Sequence, residues 1–375
     1  MTIAGNDQRN LTGSFAGLRV LDFSTTIAGP HCTRMLADMG AEVIKIETEE
    51  GETMRTRPPV RNDCSTAFGQ LNVGKNSLVL DLKSPKGLEA VRRLVATADV
   101  LVENFRPGVM RRLKLDHASL HEVNPKLIYC SISGYGQTGP RSGEAGHDIN
   151  YIGNTGLLAL QPGPPDRPVV PPALVADIGG GSFPAAINIL LALRQRDQTG
   201  KGCHLDIAMT DTMFTFAWLA LAEGLATGRY PQAGHSKLTG GSPRYQLYPT
   251  RDGKLAACGA LEDHFWATFT AAIGLDAALM DDTKNPQATR AAISKIIASN
   301  TADEWRPVFA KADCCVTIVA SLEEAIRDPH FVARGLFSAK VSAPSGATIP
   351  ALPVPIAPEF RGDETTKPVC RLNED

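Results

Sequence analysis

The sequence predicts an open α/β domain followed by a smaller α+β domain, on three observations. A strand–helix–strand unit occupies 19–47, the alternation recurs through residue 133, and a hairpin signature at Asp252-Gly253 follows a stretch dense in Gly and Pro.

In the first unit, RVLDFS (19–24) is a short apolar run with strand character. PHCTRMLADMG (30–40) has helical spacing and a terminal Gly, and AEVIKIE (41–47) is the second strand. Strands linked through a helix run parallel and need both faces of their sheet covered. SLVLDL (77–82), DVLVENF (99–105) and KLIYCSIS (126–133) continue the strands, with PKGLEAVRRLVATA (85–98) a helix that has Pro at its start. Helices are expected at 148–160, 182–196 and 210–228, and a strand at 203–209. The large domain is therefore assigned to 1–228, joined by a C-terminal return at 342–375. A linker spans 229–244, the small domain 245–330 and a second linker 331–341. YQLYPTRDGKLAACGA (245–260) supplies the hairpin, and helices at 262–274, 286–299 and 302–312 complete the small domain.

At roughly 100–200 residues per domain, the 375 residues suffice for two domains with their own cores. Apolar residues make up 43% and charged residues 21%, the balance of a globular chain rather than a disordered one. Lys and Arg total 38 against 40 Asp and Glu, a net charge of -2, which gives no general attraction to nucleic acid or anionic membranes. The N-terminus lacks the basic-then-apolar pattern of a signal peptide, and no apolar run approaches the about 18 residues of a membrane span. A cytoplasmic protein is expected. The eight cysteines include no CxxC pair and read as reduced thiols, and neither HExxH nor a similar ligand ladder argues for a metal.

Gly134-Tyr135-Gly136-Gln137-Thr138-Gly139 matches GxGxxG after a strand, but Pro140 and a polar run follow where a dinucleotide site needs a helix. The glycines read as a loop. In Gly146-His147-Asp148-Ile149-Asn150-Tyr151 a histidine precedes an Asp suited to cap a helix. The helix dipole there favours neutral imidazole, so His147 reads either as a base or as a surface loop residue. Asp177-Ile178-Gly179-Gly180-Gly181-Ser182 sets an acid and three glycines before a long apolar helix. Free N–H groups there are ready donors to a developing oxyanion, and a plain Asp cap is the other reading. Lys45, Lys75, Arg106, Arg111, Arg112 and Lys114 stand at strand ends or in the following loops, where open α/β sheets bind ligands and a polyphosphate would find cations. Glu262 is a candidate acid after the hairpin, with nothing in its own surroundings to set it apart from Glu223.

Taken in order, LDFSTTIAGPHCTRMLADMGAEVIKIE, LNVGKNSLVLDLKSPKG, ENFRPGVMRRLKL, GYGQTGPRSGEAGHDINY, LVADIGGGS and TGKGCHLDIAMTD resemble the superfamily of family III CoA-transferases and α-methylacyl-CoA racemases over nearly the whole chain. The resemblance implies a large Rossmann-like domain, a smaller α+β domain on long linkers, and an interlocked homodimer. It also implies an acyl-CoA thioester bound between domains of different subunits, with no cofactor beyond the CoA of the substrate.

Both branches of the superfamily use an Asp at the position of Asp177. It is the nucleophile that forms an acyl-aspartyl anhydride in the transferases, and one of two acid/base groups in the racemases. The other racemase group is a histidine in a GHDINY segment, intact here at His147. CGALEDHFW and WRPVFAKADCCVTIV are also racemase-like, and Glu262 matches an acid that accompanies the histidine. ENFRPG is shared with transferases, and Asn76 stands where many relatives carry a second basic residue beside Lys75. By resemblance Tyr151 lines the site, Lys45 and Arg106 meet CoA, and Gly179 and Gly180 admit the ligand. The implied reaction inverts the α-carbon of a 2-methyl-branched acyl-CoA by two-base proton transfer through an enolate. CoA transfer through Asp177 is the alternative enzyme, and an acyl-CoA binding protein the non-enzymatic one.

Overall fold

A computed structural model of the chain describes residues 13–61, 64–161, 163–164 and 166–373. The chain folds into two compact units. The first comprises Met1–Thr155, Pro171–Phe216 and Val332–Asp375, and the second Gly156–Val170 and Ala217–Phe331.

The first unit is built on the parallel sheet that the apolar runs predict. Its strands are β1 (Arg19–Asp22), β2 (Glu42–Glu47), β3 (Asn76–Val79), β4 (Val100–Glu103), β5 (Ile128–Ser133) and β6 (Cys203–Ala208), in the order β3-β2-β1-β4-β5-β6. Every neighbouring pair is parallel. β4 and β5 are buried along their whole length, which is why they read as continuous apolar runs rather than alternating ones. The order reverses between β1 and β4, so the carboxyl ends of those strands frame the crevice where open α/β sheets take ligands.

Helix α1 (Ala28–Asp38) is buried at every residue. Helix α2 (Pro85–Val95) starts as its sequence dictates: the Ser84 hydroxyl accepts the Gly87 N–H at 3.0 Å, Pro85 opens the first turn, and Gly87, Val91 and Val95 face the core. The helix expected at 148–160 divides into α3 (Asp148–Asn154) and a 3₁₀ turn at Leu158–Leu160.

The glycine-led segment differs from its expectation. Val175–Ser182 is π-helical and runs without a break into α4 (Phe183–Thr199). Together they form one 25-residue helix, long and apolar enough by length and composition to cross a membrane, with a mean hydropathy of 1.4 in its most apolar window. This corrects the expectation that no apolar run reaches that length. Core helices of globular domains meet the same criterion, and Ala185, Ala186, Ile189, Ala192 and Leu193 are buried here. After β6 comes α5 (Met209–Phe216).

The second unit contains α6 (Trp218–Thr227) and the predicted hairpin, β7 (Gln246–Pro249) against β8 (Leu255–Cys258), with Gly253 at φ 77° in the turn. β9 (Val316–Ile318) adds antiparallel to β8. Helices α7 (Asp263–Ile273), α8 (Pro286–Ile297) and α9 (Ala302–Ala312) cover the sheet around a core of Trp266, Phe269, Trp305 and Phe309. Residues 156–170 and α6, assigned from sequence to the large domain, pack with this unit. The stretch 229–244 ends on Arg244, whose guanidinium pairs with Asp282 at 2.9 Å and Asp263 at 2.7 Å. The C-terminal return adds a small sheet to the first unit: β10 (Lys340–Ser342) between β11 (Thr348–Pro350) and β12 (Thr366–Pro368).

Candidate active site

Helix α3, the π-helical segment and the residues after β4 gather His147, Asp177, Tyr151 and Arg106, all singled out in the sequence. Their meeting is organised by Asp148, which the sequence offered only as a helix cap. His147 is instead the residue that precedes α3, and its N–H donates to Asn150 Oδ1 at 3.0 Å. Asp148 occupies the first turn and points inward. Its Oδ1 accepts the N–H of Ala176 at 2.7 Å and of Asp177 at 2.9 Å, and the residue is 6% exposed.

That arrangement corrects a second expectation. The N–H groups beside Asp177 are not free for an oxyanion: two serve Asp148, and that of Ile178 donates to the Leu174 carbonyl at 3.1 Å. The N–H groups of Asp148 and Ile149 open the first turn of α3, where a helix offers no intrahelical acceptor.

Asp177 is half-buried, and its pKa is pushed up to about 6, first by burial and then by the negative charge of Asp148. His147 acts on it in the opposite sense, so the exposed imidazole stands within electrostatic reach of the carboxyl. A carboxyl that changes charge near neutrality beside a histidine is equipped to give and to take a proton. The segment is anchored by the Ser182 hydroxyl, which donates to the Ala28 carbonyl at 2.8 Å and the Asp177 carbonyl at 3.2 Å.

Tyr151, on α3, packs its ring over Gly134, the residue that follows β5. Its hydroxyl donates to the Gly146 carbonyl at 2.6 Å, and Tyr135 packs edge-on at 5.3 Å between ring centroids. Burial, then Asp177 and Tyr135, push its pKa up to about 12, while Arg106 pulls it down. Arg106 is exposed, and its guanidinium forms no ion pair with a described residue. The loop of Gly134 to Gly139 opens no helix, and the N–H of Gln137 donates to the carboxylate of Asp206 at 3.0 and 3.1 Å.

The remaining candidates lie elsewhere. Lys45 and Lys75, read as phosphate contacts, are buried beneath the loop that leaves β1. Lys45 Nζ is 2.7 Å from Glu52 Oε2 and donates to the Ser24 carbonyl at 2.7 Å. Lys75 Nζ bonds Asp22 Oδ2 at 2.9 Å, Asn72 Oδ1 at 2.8 Å and the Pro30 carbonyl at 3.0 Å. With both side chains at 0% exposure, their ammonium groups fasten the crevice loop and do not face a ligand.

Gly179 and Gly180 serve helix packing. A Cβ on Gly179 would come within 2.8 Å of the Phe216 ring, and one on Gly180 within 2.4 Å of the Met209 carbonyl oxygen. Arg111 and Arg112 are exposed in the short helix Val109–Arg112, and Lys114 is exposed just beyond it. Glu262 is exposed in the second unit, immediately before α7. Among the described residues, no group of His, Cys, Asp or Glu is arranged to hold a metal ion.

Residues 15–375 match the profile of CoA-transferase family III. The chain is 36% identical to alpha-methylacyl-CoA racemase of Homo sapiens, across 92% of this chain and 89% of the human one. It is 34% identical to a succinate–glutarate CoA-transferase of Agrobacterium fabrum, across 93% and 90%. Among solved structures it resembles a CaiB/BaiF family protein of Brucella suis, with a TM-score of 0.80 and 32% identity, across 96% of this chain and 97% of that one.

Proposed function

The chain belongs to CoA-transferase family III, and from that premise we propose that it is an α-methylacyl-CoA racemase, inverting the carbon next to the thioester carbonyl of a 2-methyl-branched acyl-CoA. The observation that carries the reading is the tie between the first turn of α3, directly after His147, and the backbone of Asp177 through Asp148 Oδ1, with burial pushing the Asp177 carboxyl up to about 6. A carboxyl that serves as an acid in one direction and a base in the other works best when it titrates near the working pH. His147 takes the α-proton from one enantiomer while Asp177 delivers a proton to the opposite face; for the other enantiomer the roles exchange.

Charge gathers on the thioester oxygen as the enolate forms, and the N–H groups of Asp148 and Ile149 at the start of α3 supply donors beside His147. One proton leaves and one arrives, so the reaction needs no redox partner and no second acid. Arg106, unpaired and near Tyr151, is the cation for the CoA moiety. Ile187, Leu190, Leu191 and Phe214 are exposed apolar side chains of the first unit, and they support assembly as a homodimer. We place the enzyme in the cytoplasm.

The second reading, a CoA-transferase, is favoured by the transferase relative at nearly the same identity. Asp177 would attack the thioester carbonyl, releasing CoA as the thiolate and holding the acyl group as a mixed anhydride; the second carboxylate would exchange for that acyl group on Asp177, and the CoA thiolate would attack the new acyl carbonyl, forming the new thioester and freeing Asp177. The two readings separate in one experiment. The full chain is incubated with (2S)-2-methylacyl-CoA in D2O without a second acid, following deuterium at the α-carbon and the configuration. Deuteration with appearance of the 2R form supports the racemase. Absence of exchange, with rapid CoA movement once a free carboxylic acid is added, overturns it in favour of the transferase.

A further inference from the structure

We propose that Asp148 is a positioning residue for Asp177: one buried carboxylate both fastens the backbone that carries Asp177 and keeps a fixed negative charge behind its carboxyl. Its catalytic consequence rests on the proton-transfer reading above; its effect on the charge of Asp177 does not.

The geometry has two parts. Asp148 Oδ1 alone accepts both N–H groups, from residues 28 and 29 positions further along the chain, so it joins the first turn of α3 to the first turn of the π-helical segment. A neutral acceptor, such as an asparagine carbonyl, could take the same two N–H groups, more weakly. The carboxylate is nevertheless 6% exposed and forms no ion pair with a described residue. A buried charge without a cationic partner carries a desolvation cost that two N–H bonds offset only in part. Beyond strengthening those two bonds, the charge adds repulsion toward a second carboxylate, and Asp177 is the carboxylate that feels it.

The groups around Asp177 can be named. From α3 come Asp148, and Tyr151 with its hydroxyl committed to the Gly146 carbonyl; from the residue before α3 comes His147. Arg106 acts on Tyr151 from the segment after β4. Asp148 opposes ionisation of Asp177 and His147 favours it, so the two neighbours in sequence bracket the carboxyl with contrary influences. Without the Asp148 charge, Asp177 would hold its proton less firmly and serve less well as the acid.

The test is Asp148→Asn in the full-length protein. The Asp177 carboxyl is followed by carbon NMR of aspartate-labelled protein, its resonance assigned by its loss in Asp177→Asn. The expected result is a titration midpoint lowered by about one pH unit, with both backbone N–H bonds retained. The limb of the α-proton exchange profile that reports Asp177 should move to lower pH by the same amount, with KM unchanged. An unmoved midpoint in folded Asp148→Asn protein overturns the proposal and leaves Asp148 as a cap.

Should the variant not fold, the wild-type titration decides. A wild-type midpoint for Asp177 at or below the ordinary aspartate value of 3.8 would show no repulsion holding its proton and overturns the proposal. Because the carboxyl titration needs no substrate, a wild-type enzyme that fails to exchange α-protons counts against the racemase reading and leaves this result standing.

Discussion

Lys75 Nζ stands 2.9 Å from Asp22 Oδ2 with both side chains at 0% exposure, so the loop leaving the central strand is held from below by a buried ion pair. Burial pushes the Asp22 pKa up, but Lys75 and then Lys45 pull harder, and the carboxyl lies well below the usual range. Asp22 Oδ1 also accepts the N–H of Ser24 at 2.9 Å, and Glu52 Oε1 accepts the N–H of Thr26 at 2.6 Å. The network therefore fixes the loop residue by residue.

Removing one partner leaves a buried carboxylate with too little compensation. Lys75→Met should lower stability by about 3–5 kcal/mol in a urea titration, and Lys75→Met with Asp22→Asn should recover part of that loss. A loss under about 1 kcal/mol for the single variant would contradict a structural role for the pair.

Glu103, at the carboxyl end of β4, makes stability depend on pH. It is 3% exposed, and its pKa is pushed up to about 7 by burial, against the bonds from Ser131 and the Phe105 N–H. A carboxyl raised in the fold contributes stability that is fully present below its unfolded value near 4.5 and is lost as pH rises through about 7. The loss is at most on the order of 3 kcal/mol. Glu103→Gln should flatten that decline in denaturation midpoints measured from pH 4.5 to 8. An unchanged pH profile would refute the assignment.

Much of this molecule is legible in local sequence, and the failures share one cause. The strands announce themselves as apolar runs, and the hairpin at Asp252-Gly253 needs only its own two turn residues. His147 and Asp177 come from short motifs. Lys45 and Lys75 are easily misread, because a lysine at a strand end has the same sequence signature whether it faces the crevice or turns beneath the loop. Only the pairing of Lys75 with Asp22, 53 residues earlier, decides. Asp148 shows the same limit: its neighbours suggest a helix cap, while its actual donors lie at Ala176 and Asp177. The π-helical turn is illegible for a related reason, since three glycines predict close approach without saying to what, and Met209 and Phe216 supply the answer.

Tyr151 should respond to crowding from a neighbouring glycine. A Cβ on Gly134 would lie 2.4 Å from Tyr151 Cε1, too close for any real contact. Gly134→Ala should therefore displace the ring, lower stability by about 1–3 kcal/mol and reduce activity. Tyr151→Ala should cost less in the Gly134→Ala background than in the wild type, and strictly additive losses in thermal denaturation would show that the two do not meet.

The two acid/base groups make different predictions for the two enantiomers. Once His147 is replaced by Ala, the enantiomer whose proton it removes can no longer react, while Asp177 still removes the proton of the other. His147→Ala should lose racemisation by about 10²–10⁴-fold yet retain α-deuterium exchange from one enantiomer without inversion. Asp177→Asn should show the same behaviour with the opposite enantiomer. The pH dependence has a sign as well: with its pKa near 6, Asp177 gains as a base and loses as an acid when pH rises through that value. Each direction needs one proton held between His147 and Asp177, so racemisation should show the same pH dependence from either enantiomer, with one limb set by Asp177 near pH 6. Identical losses for both enantiomers in both variants would mean that a single group handles both faces, and would end the two-base assignment.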